Sequence, residues 1–191
     1  MSRATRTRIW LVRHGPTHAK GMVGWTDLPA DLSDAAALAR LNAHLPQVPV
    51  ISSDLSRAIT TADALTARAR LPHDRDWREL HFGAWEMRSH AEIEAEAPDH
   101  IRAFWDTPGD ISPPGGESWN ALTFRVDGAL QRLAHLPEVI VVAHFGVIVA
   151  AIQRAGGLTP TQAFAHRIDN LSVTCLEFGP LPRIHSINHI P

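Results

Sequence analysis

Arg8-Ile9-Trp10-Leu11-Val12-Arg13-His14-Gly15-Pro16 is the stretch that decides the fold. A short apolar run of strand formers ends in a charged pair, a glycine and a proline, the pattern of a buried strand entering a turn. Two further runs repeat it. Val48-Pro49-Val50-Ile51-Ser52-Ser53 leads through Asp54 to Arg57, and Val139-Ile140-Val141-Val142-Ala143 ends at His144. Between them the apolar spacing turns helical. Residues 33–45 carry Leu38, Leu41 and Leu45 on one face behind Ser33 as the expected N-cap. Residues 54–69 stripe Ala58, Ile59, Ala62, Leu65 and Ala69. Residues 117–136 stripe Trp119, Leu122, Val126, Leu130 and Leu133, and residues 147–155 form a last helix before Gly156-Gly157. Two strand-like runs, 171–178 and 183–187, close the chain as a hairpin or neighbouring edge strands. Apolar strands alternating with helices predict an α/β protein: three layers, α/β/α, around a mainly parallel sheet covered on both faces.

The chain has 191 residues, 45% of them hydrophobic, enough for one well-buried core. The expectation is one domain over 1–191, with a capping insertion over about 72–116. That segment is less regular, with short helices over 89–97 and 99–105. A formal net charge of −2 gives no global attraction to nucleic acid or anionic membranes. Neither is expected as a partner, and any charged ligand must meet a local cluster. The N-terminal arginines Arg3, Arg6 and Arg8 precede an apolar run too short for a signal peptide, and no run approaches membrane-spanning length. A cytoplasmic protein is expected. The single cysteine, Cys175, cannot make an internal disulfide and reads as a buried small hydrophobe.

In parallel sheets, ligands bind beyond the carboxyl ends of the strands. Those ends here carry Arg13, His14 and His144, with Arg57 in the first turn of the helix after the second strand. Guanidinium forks grip phosphate oxygens in pairs at any working pH. A neutral imidazole between them has a lone pair for phosphorus, and adjacent positive charge keeps it unprotonated. His14 is the candidate nucleophile. Arg13, Arg57 and His144 are candidates to bind phosphate and stabilise the charge spread over its oxygens in the transition state. The leaving oxygen needs a proton, and Glu79, among bulky aromatics, is the candidate donor, with Glu86 and Glu117 as competing acids. Glu117 has a second reading, as a carboxylate in the first turn of its helix. Thr17 and Thr26 are candidate substrate contacts, and Trp25 is a candidate pocket wall together with a tryptophan of the cap. No histidine pair has zinc-ligand spacing with a third ligand.

Leu11-Val12-Arg13-His14-Gly15 resembles the opening motif of the histidine phosphatase, or phosphoglycerate-mutase-like, superfamily. Four more segments resemble that family's motifs in the right order. They are Ser52-Ser53-Asp54-Leu55-Ser56-Arg57-Ala58 with Thr61-Ala62, the run Glu79 to Glu86, Pro114-Gly115-Gly116-Glu117-Ser118, and Val142-Ala143-His144-Phe145-Gly146-Val147-Ile148. The resemblance implies His14 as nucleophile, Arg13, Arg57 and His144 on phosphate, Glu79 as proton donor, and neither metal nor cofactor. The chain departs from the family pattern at Lys20, often asparagine, where a lysine can still meet phosphate as a point charge. It departs also at Phe145, often small, at Val149, frequently arginine, and at Met87, usually glycine.

The expected function is hydrolysis of a small phosphorylated metabolite through a phosphohistidine. Gly24-Trp25-Thr26-Asp27, the short chain and the brief segment after Glu86 look most like the α-ribazole-5′-phosphate phosphatase type, which would tie the chain to cobalamin synthesis. Two alternatives stay open: phosphoglycerate mutase-type transfer, and an inactive module that only binds a phospho-ligand. A homodimer is also left open.

Overall fold

A computed structural model describes residues 6–191; Arg3 lies outside the described residues. Five strands form one sheet in the order β2-β3-β1-β4-β5. They are β1 (Thr7–Arg13), β2 (Val50–Ser52), β3 (Glu138–Ala143), β4 (Val173–Phe178) and β5 (Arg183–His189). β1, β2 and β3 run parallel, with Arg13 opposite Ala143 and Ser52 opposite Val142, so their carboxyl ends share one rim. β4 lies antiparallel to β1, and β5 antiparallel to β4. The sheet is therefore mostly but not purely parallel.

The pleat sends alternate side chains to two cores. Val12, Val50, Ile140 and Val142 pack with Leu41 and Leu45 of α1 (Ala35–His44) and its C-cap, and with Ala58 and Ala62 of α2 (Ser56–Asp63). On the other face Ile9, Leu11, Ile51, Val139 and Val141 pack with Leu122 and Val126 of α5 (Trp119–Arg132) and with Val147 and Ile148 of α6 (Phe145–Gly156). These are the three expected layers. Leu122 is wholly buried, and truncating it to alanine should cost about 2–5 kcal/mol. Apolar residues of the 72–116 segment join this second core. Phe82, Trp85 and Phe104 meet edge to face, and Ile93 of α3 (His90–Glu96) and Ile101 of α4 (Pro98–Asp106) are buried beside them. A last short helix, α7 (Pro160–Phe164), packs Phe164 on Trp119. No helix among the described residues is long and apolar enough to cross a membrane.

Several local expectations need correction. The N-cap of α1 is Asp34, whose carboxylate accepts from Ala37 N–H at 2.9 Å; the Ser33 amide instead donates to Asp31. Helix α2 stops at Asp63 rather than running to residue 69. Ala67 takes a left-handed φ of 61°, and Ala69–Leu71 then bond alongside Val50 of β2. The backbone bonds gained beside the sheet outweigh further helical turns. Helix α5 begins at Trp119 behind Ser118, so Glu117 precedes the helix instead of sitting in its first turn.

Candidate active site

The rim of β1, β2 and β3 gathers the residues that the strand ends predict. The His14 amide donates to the Ala143 carbonyl at 3.0 Å, tying the end of β1 to the end of β3. The ring is buried, with 7% of the residue exposed. Its Nδ1 lies 2.7 Å from the Gly15 carbonyl. A carbonyl only accepts, so Nδ1 carries the proton and Nε2 keeps its lone pair. Burial, then the Arg57 charge, hold the His14 imidazole down at about 3, against the pull of the Gly15 carbonyl. Gly15 packs so closely that a Cβ there would fall 2.5 Å from Leu32 Cδ2. Its amide donates to Thr61 on α2, and that hydroxyl donates to the Arg57 carbonyl.

Arg57, in the first turn of α2, is almost wholly buried. Its Nη1 and Nη2 donate to the Thr26 and Gly24 carbonyls at 3.0 and 2.6 Å, and its Nε donates to His144 Nδ1 at 3.2 Å. That bond makes Nε2 the protonated nitrogen of a neutral His144. Burial, then His14 and the arginines, hold His144 well below the usual imidazole range. The His14 and His144 rings lie 5.0 Å apart between centroids. Among the described residues, His144 Nε2 and Arg13 Nε are buried with no hydrogen-bond partner. A buried donor left unpaired costs roughly 1–3 kcal/mol. Two such donors beside one lone pair make a site whose polar groups are completed by an acceptor-rich ligand.

The antiparallel β4 explains what the sequence did not point to. The segment entering it lies at the rim where β1 ends, bringing the Ile168 carbonyl to Arg13 Nη1 at 2.6 Å and Asn170 Nδ2 to the His14 carbonyl at 2.7 Å. Phe145, the first residue of α6, lies under the Arg13 guanidinium, 5.8 Å from ring centroid to Cζ.

Glu79 is the acid that reaches this cluster. Its Oε1 accepts from the Leu80 and Gly146 amides at 2.9 and 3.0 Å, and Oε2 lies 3.2 Å from the latter. Burial pushes its carboxyl up against those bonds and the arginine charges. The competing acids are committed elsewhere. Glu86 accepts from the amides of Phe82, Gly24, Trp25 and Thr26 and from the Thr26 hydroxyl. Its burial opposes charge, yet these bonds hold it below the usual carboxylate range. Glu117 makes a two-pronged pair with Arg125, at 2.7 and 2.8 Å.

Among the other candidates, Thr26 spends its hydroxyl on Glu86, and Trp25 donates Nε1 to the Glu79 carbonyl at 2.8 Å. The Trp25 ring stacks on His81 at 4.4 Å and meets the Arg78 guanidinium at 4.9 Å. Arg78 is itself clamped by Asp54. Thr17 is half-buried and Lys20 exposed on the loop beyond His14. Among the described residues no group of three or more His, Cys, Asp or Glu side chains is arranged to hold a metal ion. Cys175 is buried, and burial pushes its thiol up to about 11.

This geometry has counterparts in known proteins. Residues 9–187 match the model of the histidine phosphatase superfamily, branch 1. The chain is 32% identical over 174 residues to the adenosylcobalamin/alpha-ribazole phosphatase of Escherichia coli, covering 85% of each. It is 34% identical over 175 residues to the glucosyl-3-phosphoglycerate phosphatase of Mycolicibacterium vanbaalenii, covering 79% of this chain and 75% of that one. The crystal structure of the alpha-ribazole phosphatase from Shigella flexneri superposes with a TM-score of 0.81 at 25% identity, covering 96% and 98% of the two chains. The chain belongs to branch 1 of the histidine phosphatase superfamily and is a phosphatase.

Proposed function

We propose that the chain hydrolyses a small phosphomonoester through a phosphohistidine on His14. The observation that carries this reading is the His14 ring itself, with Nδ1 tied to a carbonyl and Nε2 free beside Arg57 and His144. His14 Nε2 attacks phosphorus in line as the P–O bond to the leaving alcohol breaks. Arg13, Arg57 and the His144 Nε2–H hold the phosphoryl oxygens, where negative charge is spread in the transition state. Glu79, whose carboxyl burial pushes upward, gives its proton to the departing oxygen. The same carboxylate then takes a proton from water, whose oxygen attacks phosphorus. The P–N bond breaks and inorganic phosphate leaves. Dividing one displacement into two lowers each barrier.

Names of relatives favour hydrolysis over mutase-type transfer, and the complete set of His14, Arg13, Arg57, Glu79 and His144 favours turnover over binding alone. For the substrate, α-ribazole 5′-phosphate is the first choice. It carries a flat benzimidazole, and half-buried Phe145, Phe164 and Trp105 form a chain of aromatic contacts beginning at Arg13. Such rings suit a planar base better than an all-polar sugar acid. The test is phosphate release from α-ribazole phosphate, glucosyl-3-phosphoglycerate, nucleotides and sugar phosphates, alongside interconversion of 2- and 3-phosphoglycerate. Highest kcat/KM for the benzimidazole nucleotide supports the reading. Highest kcat/KM for the glucosyl compound refutes the substrate choice, and interconversion without release refutes hydrolysis.

A further inference from the structure

We infer that Arg125 is a positioning residue for the proton donor, fixing Glu79 through the backbone that carries it. This rests on the proposed role of Glu79. An arginine on the amphipathic helix α5 would ordinarily face water, yet the Arg125 side chain is only 14% exposed. Its guanidinium has five N–H donors, and each has an acceptor. Nε and one Nη2 hydrogen meet the two Glu117 oxygens at 2.7 and 2.8 Å. The Nη1 hydrogens meet the Asp76 and Arg78 carbonyls at 2.8 and 2.7 Å, and the second Nη2 hydrogen meets the Glu79 carbonyl at 2.8 Å. Three carbonyls of the segment entering Glu79 therefore converge on one rigid plane. Glu117 reaches the other side of Glu79, accepting from the His81 amide at 3.4 Å while its own amide donates to the His81 carbonyl at 2.8 Å.

Among the described residues the carboxyl of Glu79 has no ion-pair partner to hold it. Its side-chain bonds are to the Leu80 and Gly146 amides. Its aim at the leaving oxygen thus depends on where the backbone of residues 76–80 stands, which Arg125 sets. Lysine cannot reproduce this. It has three donors on a single nitrogen and no planar fork to span the carbonyls and a carboxylate together. A purely structural role would lower all activities together as the fold loosened. A positioning role makes a narrower demand, because only leaving groups that need a proton should suffer.

The experiment compares Arg125→Lys, Arg125→Gln, Glu79→Gln and wild type on two esters. One is p-nitrophenyl phosphate, whose phenolate leaves unprotonated; the other is glycerol phosphate, whose alkoxide does not. General acid catalysis contributes about 10²–10⁴-fold, so loss of aim should lower kcat on the alkyl ester at least about tenfold more than on the aryl ester. The pH profile on the alkyl ester should lose its Glu79-dependent limb, and KM should move less than kcat. Circular dichroism and melting confirm folded protein, and Arg125→Lys keeps the charge should Arg125→Gln fail to fold. Equal losses on both esters in Arg125→Lys, with Glu79→Gln showing the selective loss, would overturn the role of Arg125. Equal losses in Glu79→Gln itself would overturn the proton-donor assignment instead.

Discussion

Replacing Gly146 with alanine should injure catalysis far more than stability. A Cβ at that position would fall 2.5 Å from Glu79 Oε1, 3.5 Å from its Cδ and 3.3 Å from Leu122 Cδ2. Ordinary contact between such atoms is near about 3.5 Å, so the carboxyl must retreat by roughly 1 Å. That retreat stretches the bonds from the Gly146 amide, now 3.0 and 3.2 Å. Losing them costs about 1–3 kcal/mol at a buried group. Alanine returns up to about 1 kcal/mol as a better helix former than glycine. The net stability loss should therefore stay near or below about 2 kcal/mol. Displacing a catalytic group by about 1 Å can cost on the order of a hundredfold in rate. The assay is kcat on an alkyl phosphate together with a thermal melt. A folded Gly146→Ala protein that turns over alkyl esters at the wild-type rate would refute the placement of Glu79 as proton donor.

Other outcomes follow from the same geometry. With His14 held at about 3 and His144 well below its usual range, kcat/KM corrected for substrate ionisation should show no limb that rises with pH through 6.5; such a rising limb, as distinct from the falling limb of a proton donor, would mean that burial and Arg57 do not control the ring. Stability should behave differently. Between about 3 and 6.5 the unfolded chain binds a proton that folded His14 refuses, so His14's contribution is full above 6.5 and is lost as pH falls toward 3. His144 acts in the same direction, whereas raised Glu79 contributes below the ordinary carboxylate range and loses its share as pH rises. Melting temperature against pH should therefore fall on acidification from 6.5, and less steeply in His14→Asn. Glu86→Gln should loosen the loop whose Gly24 and Thr26 carbonyls anchor Arg57, weakening phosphate binding by about 1.5–3 kcal/mol. Inorganic phosphate inhibition measures it, and an unchanged constant would detach Glu86 from the site.

The sequence made the rim legible because strand ends announce themselves. Apolar runs stop at Arg13-His14 and at His144, and the parallel register then forces those residues together. Arg57 follows from the same logic in the first turn of α2. What stayed hidden depended on long-range direction. Nothing in residues 171–178 says that β4 runs against β1, so Ile168 and Asn170 gave no sign of reaching the rim. Arg125 lies off the stripe of Trp119, Leu122, Val126, Leu130 and Leu133 on an amphipathic helix, where a charged residue would ordinarily face water; only the return of the 76–79 segment buries it. Glu86 looked like a rival acid because all but one of its hydrogen-bond donors lie some sixty positions away, at residues 24–26. Helix α2 ended early because Ala69–Leu71 found bonds beside β2, a tertiary gain invisible to local propensity.

The proposed hydrolysis turns on a covalent bond from phosphorus to one ring nitrogen. Enzyme mixed with a ³²P-phosphomonoester, quenched in alkali within a turnover and digested, should carry an acid-labile, base-stable label on the peptide holding His14, and none in His14→Ala. Full turnover with no label on that peptide, or near-normal rates in folded His14→Ala, would rule out His14 as the nucleophile.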